Sequence, residues 1–174
     1  NLELYEALYG ASSFASFYGI GVDLDGDGSA RAKLYTRVKQ TQLIPELLRM
    51  CSAFPSATLE PLREFSSALP QEALTDEVEL AVALRDDGTP TIKATYFFLG
   101  DKMNRENESQ VLSLIEQYHR GAHLVENCLQ VLRSSKGAFQ TREHPLHGLG
   151  VELPGSQPPK LNVYLQPRVA VLAL

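Results

Sequence analysis

Long apolar runs are missing from this sequence. No stretch reaches the ~18–20 consecutive apolar residues that a membrane-spanning helix needs. The opening segment, NLELYEALYG, also lacks the basic and apolar regions of a secretory signal peptide. Cysteine is scarce, because only Cys51 and Cys128 are present, and two thiols do not make a disulfide framework. Together these absences predict a reduced, cytoplasmic protein.

Positive charge is not in excess either. The formal net charge is −5 and the pI is near 5.4, whereas a nucleic-acid-binding domain usually has a high pI and a basic face. We therefore expect neither a nucleic-acid nor a membrane partner. The first residue is asparagine rather than methionine, which is compatible with a fragment or a processed piece. The length suffices for a single domain, 1–174, with a hydrophobic core.

One stretch near the N-terminus carries cations in a strand pattern. Residues 19–38 read as two extended segments joined by a turn at Asp25–Gly28. Alternate side chains of a strand lie on the same face, so the second segment presents a cationic face with one tyrosine and an aliphatic face. The residues of the cationic face are Arg31, Lys33, Tyr35 and Arg37. Isolated cationic strands in an acidic protein indicate a site for a specific small anion.

Strand and helix patterns follow one another in pairs along the chain. Alternation predicts three ββ units, at 17–38, 77–99 and 146–169. Helical spacing of apolar residues predicts two helix pairs between them, at 43–69 and 105–133. The order is therefore ββ–αα–ββ–αα–ββ.

This order predicts an internal repeat. A shift of 129 residues superposes Gly19, Gly21 and Tyr35 on Gly148, Gly150 and Tyr164. A shift of 60 places Lys33 on Lys93, although Thr95 then falls where a tyrosine is expected. We interpret the chain as three copies of one ββαα-type unit.

The repeat predicts an α+β fold with an antiparallel sheet and helices packed on its apolar side. Two arrangements of the other face stay open. It can be a solvated face of an open sheet. Alternatively the sheet curls into a barrel, or part of one, with the helices outside and the lumen lined by cations and tyrosines.

The motif R-x-K-x-Y at Arg31–Tyr35, its echo K-x-N-x-Y at Lys160–Tyr164 and the strands GVDL and GVEL resemble aromatic prenyltransferases of the ABBA (PT-barrel) fold. The similarity is greatest to the dimethylallyltryptophan-synthase type. It covers nearly all of these residues but only the three C-terminal repeats of such a protein, so the barrel would be incomplete without further units.

The resemblance implies roles for individual residues. It implies that four cations bind diphosphate: Arg31, Lys33, Lys93 and Lys160. It implies that tyrosine rings shield an allyl cation: Tyr35, Tyr164 and, if a bulge turns it inward, Tyr96. Further side chains expected to face the lumen are Arg37, Asn162 and Gln166. No metal, cofactor or general base is assigned.

The implied activity is metal-independent transfer of a prenyl group to an aromatic acceptor. The donor would be dimethylallyl diphosphate or a longer homologue, and the acceptor an indole or tryptophan-type molecule. A second class of function stays open, namely a non-catalytic ligand-binding module or a barrel that another chain completes.

Two other motifs resemble metal sites. Asp23, Asp25 and Asp27 match the start of an EF-hand loop, but the twelfth position is Leu34 and strands flank the loop. His119 and His123 have the i, i+4 spacing of zinc ligands, but no third ligand is evident. We interpret the first as an acidic turn and the second as helix surface.

Overall fold

The computed structural model describes residues 16–24, 30–43, 59–84, 90–134, 144–153 and 159–166. These residues form six strands and three α-helices, with 3₁₀ turns at Gln40–Gln42 and Gln71–Ala73. The strands are β1 (Ser16–Leu24), β2 (Ala30–Lys39), β3 (Leu74–Leu84), β4 (Pro90–Phe98), β5 (Leu146–Leu153) and β6 (Lys160–Leu165). The helices are α1 (Glu60–Ala68), α2 (Arg105–His119) and α3 (Ala122–Ser134).

The predicted fold class is confirmed. The strands form one six-stranded antiparallel sheet in the order β1-β2-β3-β4-β5-β6, so each strand pairs with its neighbours in the sequence. The first two predicted ββ units, 17–38 and 77–99, agree with the observed bounds to within three residues. The third was predicted to extend to residue 169, and β6 ends at Leu165. Closure of the sheet into a barrel and the internal repeat stay predictions.

Several predictions lie outside the described residues. Most of the helix predicted for 43–54 does, as do the turns at 25–28, 86–88 and 154–158 and the terminal segment 167–174. The acidic turn that resembles an EF-hand loop belongs to this group.

Contacts divide the chain into two compact units. The first consists of 1–64, 76–95 and 151–160, and the second of 65–75, 96–150 and 161–174. The prediction of a single domain stays a prediction.

The first unit holds β1, β2 and most of β3. In β2 and β3 the pairing is regular from Ala32↔Leu84 to Lys39↔Glu77, so directly paired residues share a face. On one face, apolar side chains are fully buried and form the core of this unit: Val38, Val78, Leu80 and Val82, together with Leu43 and Leu62.

The second unit is built around aromatic side chains. Phe65 is fully buried, and its ring centroid lies 6.0 Å from that of Tyr96 in β4 and 5.8 Å from that of Tyr118 in α2. β5 approaches β4 closely at Gly148, where a β-carbon would lie 2.7 Å from the carbonyl oxygen of Tyr96. Only glycine fits this position without a backbone shift.

Helix α2 has defined ends. The side chain of Asn104 caps its N-terminus by accepting a hydrogen bond of 2.9 Å from the backbone N–H of Asn107. At its C-terminus Arg120 adopts the left-handed conformation, with φ 47°, and its N–H donates to the carbonyl of Glu116. Gly121 lies between α2 and α3, where the sequence predicts a joint, and the left-handed residue is its neighbour Arg120. No helix in the described ranges is both long enough and apolar enough to cross a bilayer.

Candidate functional site

The row of alternate side chains predicted for β2 is present. Lys33 and Tyr35 are half-buried and Arg37 is exposed, and the register places them on one face opposite Gly21, Ala81 and Glu79. We call this surface the β2 polar face and define it by Lys33, Tyr35, Arg37 and Glu79. Small residues flank Tyr35, which gives its ring room to lie along the sheet. A β-carbon on Gly21 would lie 3.0 Å from Cε2 of Tyr35.

A bulge in β1 adds a second tyrosine to this face. Phe17 pairs with Thr36 and Gly19 pairs with Tyr35, so Tyr18 is an extra residue without a partner in the β2 register. A bulge changes the phase of the alternation and re-aims a side chain. Simple alternation back from Gly21 assigns Tyr18 to the opposite face, together with Ile20. For that reason the sequence pattern missed Tyr18.

Three neighbours hold the ring of Tyr18. Its hydroxyl donates to the carboxylate of Glu79, and the guanidinium carbon of Arg37 lies 5.1 Å from the ring centroid. The ring of Tyr35 lies 6.3 Å away and is tilted by 43°. Burial, followed by the hydrogen bond and the charge of Glu79, raises the pKa of Tyr18 to about 12. The shift changes its ionisation only in the alkaline range, and 52% of the Tyr18 surface is exposed.

The other predicted diphosphate ligands also belong to the first unit. Arg31 lies in β2 with its backbone opposite Asp23, and its side chain is outside the described set. Lys93 is half-buried in β4, and Lys160 is exposed at the start of β6.

Tyr96 lies in the hydrophobic core, whereas a position beside Lys93 was expected. The residue is 1% exposed, and its ring packs against Phe65 of α1. Alternation along β4 then puts Lys93, Thr95 and Phe97 on the opposite face. Burial raises the pKa of Tyr96 to about 12. This corrects the expectation that a bulge in β4 turns Tyr96 toward the side of Lys93, because the ring fills the core beneath the helices.

The remaining predicted residues belong to the second unit. Asn162 and Tyr164 are half-buried in β6, and the side-chain nitrogen of Asn162 is buried without a hydrogen-bond partner in the described part of the chain. Gln166 is exposed, and its backbone N–H donates to the carbonyl of Pro145. An unexpected ring pair also lies here, with the centroids of Phe97 and His147 5.4 Å apart.

Metal chemistry has no obvious ligand set in the described ranges. They contain no group of three or more His, Cys, Asp or Glu side chains that could hold an ion. His119 ends α2 and His123 lies in the first turn of α3, both exposed, as expected for helix surface. Among the described cysteines, Cys128 is free and exposed.

The chemical character of the β2 polar face is now definable. It combines cations, two phenol rings and one carboxylate on neighbouring strands, with both rings partly accessible. Cations of this kind bind anionic oxygen atoms, and the faces of phenol rings attract organic cations.

Comparison of the chain with known proteins gave no match. Neither a family model nor a curated protein matches it.

Proposed function

We propose that the chain, as it stands or as a portion of a longer polypeptide, transfers a dimethylallyl group from an allylic diphosphate to an aromatic carbon. The proposed acceptor is an indole of the tryptophan type, and the reaction requires no metal ion. The observation that carries this proposal is the β2 polar face, where Lys33 and the rings of Tyr18 and Tyr35 lie side by side.

The cations serve the first step. The carbon–oxygen bond of the allylic diphosphate breaks and its electron pair leaves with the diphosphate oxygen. Arg31 and Lys33 bind that group in this proposal, with Lys93 and Lys160 as further ligands. Cations already in position stabilise the negative charge that develops on the leaving group.

The tyrosines serve the second step. The allyl cation is stabilised by the π-face of Tyr35, and the ring keeps water away from it. The acceptor carbon then attacks the cation, and loss of a proton restores aromaticity. Tyr96 is not part of the proposed site, because its ring packs against Phe65 on the other face of β4.

The test is the Lys33→Ala variant of this chain. It should lower diphosphate release from dimethylallyl diphosphate in the presence of tryptophan by about 100-fold or more, because a leaving-group ligand is lost. The chain contains no tryptophan, so fluorescence excited at indole wavelengths reports only the acceptor and its product. Product identity is checked by mass spectrometry.

Lys39→Ala is the matched control. Lys39 is exposed at the end of the same strand and lies opposite Glu77. It should retain activity, and both variants should unfold at the same urea concentration as the parent chain. Equal turnover in Lys33→Ala and the parent contradicts the assignment of Lys33 to the diphosphate.

One observation favours the second candidate, a module completed by another chain. Among the described strands β1 lies at the edge of the sheet, and on the face opposite Tyr18 it exposes 76% of Ile20 and 61% of Val22. Native mass spectrometry separates the two candidates. An assembly of two or more chains would favour the module, and a 19.2 kDa monomer that releases no diphosphate would overturn the enzyme proposal.

A further inference from the structure

The cation shield of the proposed reaction lacks a ring in the second repeat. Thr95 occupies the position where the repeat predicts a tyrosine, and the neighbouring Tyr96 is 1% exposed on the other face of β4. Two phenol rings nevertheless lie on the β2 polar face, because the bulge in β1 brings Tyr18 beside Tyr35.

We propose that Tyr18 is a shield residue, contributed by the β1 bulge, that stabilises the allyl cation together with Tyr35. This inference rests on the proposed function and adds a residue that neither the repeat nor the R-x-K-x-Y motif identifies.

The geometry of the ring pair suits this role. The two centroids are 6.3 Å apart and the rings are tilted by 43°, so neither ring covers a face of the other by parallel stacking. Arg37 occupies one face of the Tyr18 ring at 5.1 Å. Since 52% of Tyr18 is exposed, a large part of the ring stays accessible to a ligand.

The neighbours of Tyr18 also restrain its ring. Glu79 accepts the hydrogen bond of the hydroxyl, which restrains rotation of the side chain and draws electron density toward the ring. In this arrangement Glu79 and Arg37 are positioning residues, because they act on the substrate only through Tyr18. Tyr18 itself exchanges no proton and forms no bond. It stabilises the cation and occupies space that water would otherwise fill.

The test measures how the cation is partitioned between acceptor and water. Capture by the acceptor gives the prenylated indole, and capture by water gives dimethylallyl alcohol with release of a proton. Tyr18→Leu should lower diphosphate release about tenfold, because a cation–π contact stabilises the transition state by roughly this factor. It should also raise the proportion of alcohol. Tyr18→Phe keeps the ring and should stay within about threefold of the parent.

Ile20→Ala is the matched control, because Ile20 lies on the same strand, is more exposed than Tyr18 and belongs to the other face. It should leave both the rate and the alcohol proportion unchanged. Urea unfolding of all three variants verifies that each is folded.

A binding measurement makes the test independent of turnover. The probe is a dimethylallyl-ammonium analogue of the cation, titrated calorimetrically in the presence of inorganic diphosphate. Its affinity should fall about fivefold in Tyr18→Leu and stay unchanged in Tyr18→Phe and Ile20→Ala.

Two results would overturn the inference while the proposed function survives. One is an unchanged alcohol proportion and unchanged analogue affinity in Tyr18→Leu. The other is a rise of the KM for the indole alone, which would make Tyr18 an acceptor contact. An inactive parent chain that also fails to bind the analogue would overturn the proposed function and this inference together.

Discussion

Two carboxylates, Glu79 and Glu108, organise the polar side chains of the two units in different ways. Glu79 lies half-buried on a sheet face and accepts a hydrogen bond from the partly exposed Tyr18. Glu108 lies in α2, is 8% exposed and contacts both Arg133 of α3 and His144 before β5. The first cluster leaves rings accessible to a ligand, whereas the second joins two helices to a strand. Polar clusters of similar composition therefore form a partly accessible surface in one unit, where we propose the site, and a largely buried packing contact in the other.

The hydrogen bonds of His144 support this view of the second cluster. The backbone N–H of Leu146 donates to its Nδ1 over 3.2 Å, and its Nε2 lies 2.8 Å from a guanidinium nitrogen of Arg133. Nε2 lies 2.5 Å from the carboxylate of Glu108 and can donate to it. Removal of Glu108 would leave Arg133 and His144 without their shared acceptor.

The largest effect on stability is therefore expected for Glu108→Ala. We expect it to lower the free energy of unfolding by about 2 kcal/mol, since it breaks a largely buried polar network in which Arg133 keeps some contact with water. Urea denaturation followed by circular dichroism measures the change. Glu106→Ala, an exposed acidic residue in the same helical turn, is the control and should cost less than about 0.5 kcal/mol. Similar costs for Glu108→Ala and Glu79→Ala would remove the distinction between the clusters.

Two glycines, Gly21 in the first unit and Gly148 in the second, allow the packing of the two units to be compared. In Gly148→Ala the new β-carbon meets the backbone oxygen of Tyr96 at 2.7 Å, which should cost about 2 kcal/mol through overpacking. In Gly21→Ala it meets the ring of Tyr35 at 3.0 Å, and the ring can move by a few tenths of an ångström. Gly21→Ala should therefore cost less than about 1 kcal/mol but slow prenyl transfer about tenfold by displacing Tyr35.

Thermal unfolding and diphosphate release measure the two effects on the same preparations. A loss of stability in Gly21→Ala as large as that in Gly148→Ala would show that Tyr35 is held as rigidly as the core. Unchanged turnover in Gly21→Ala would contradict the placement of Tyr35 in the site.

The periodicity of apolar residues along the chain predicted most of the observed helices and strands. Strand alternation and helical spacing are local signals, so they predicted β2, α2 and β5 to within a residue or two, and the order of helices and strands along the chain. The same alternation predicted that the side chains of Lys33, Tyr35 and Arg37 lie on one face of β2. Glu79 also fell on the expected face, because the β2–β3 pairing has no irregularity between Ala32 and Lys39.

The missed features are those that break the period or join distant segments. One extra residue in β1 reversed the face of Tyr18, and the ring of Tyr96 packs against Phe65. The contacts of Glu108 join residues 25 and 36 positions apart in the sequence, across two elements whose packing no local pattern encodes.

The smallest effect is expected in the alkaline pH dependence of stability. The pKa of Tyr18 is raised from 10.0 to about 12 in the folded chain, with Glu79 as one cause. A raised pKa favours the neutral phenol in the folded state, so this contribution to stability is fully present below pH 10 and is lost as the pH rises toward 12. Tyr18→Phe should therefore lose less stability than the parent between pH 9 and pH 11, measured as the shift of the urea midpoint.

The pKa of Tyr96 is also raised to about 12, and this residue is present in both the parent and Tyr18→Phe. Its contribution to the pH dependence is therefore the same in both proteins, and a difference in the slope of the urea midpoint against pH reports on Tyr18. Glu79→Gln should give an intermediate slope, because burial of Tyr18 persists when the negative charge beside it is removed. Identical slopes in the parent and Glu79→Gln would mean that Glu79 does not influence the ionisation of Tyr18. In that case Glu79 would resemble Glu108, as a carboxylate that contributes to packing, and it would have no effect on the pKa of the neighbouring Tyr18.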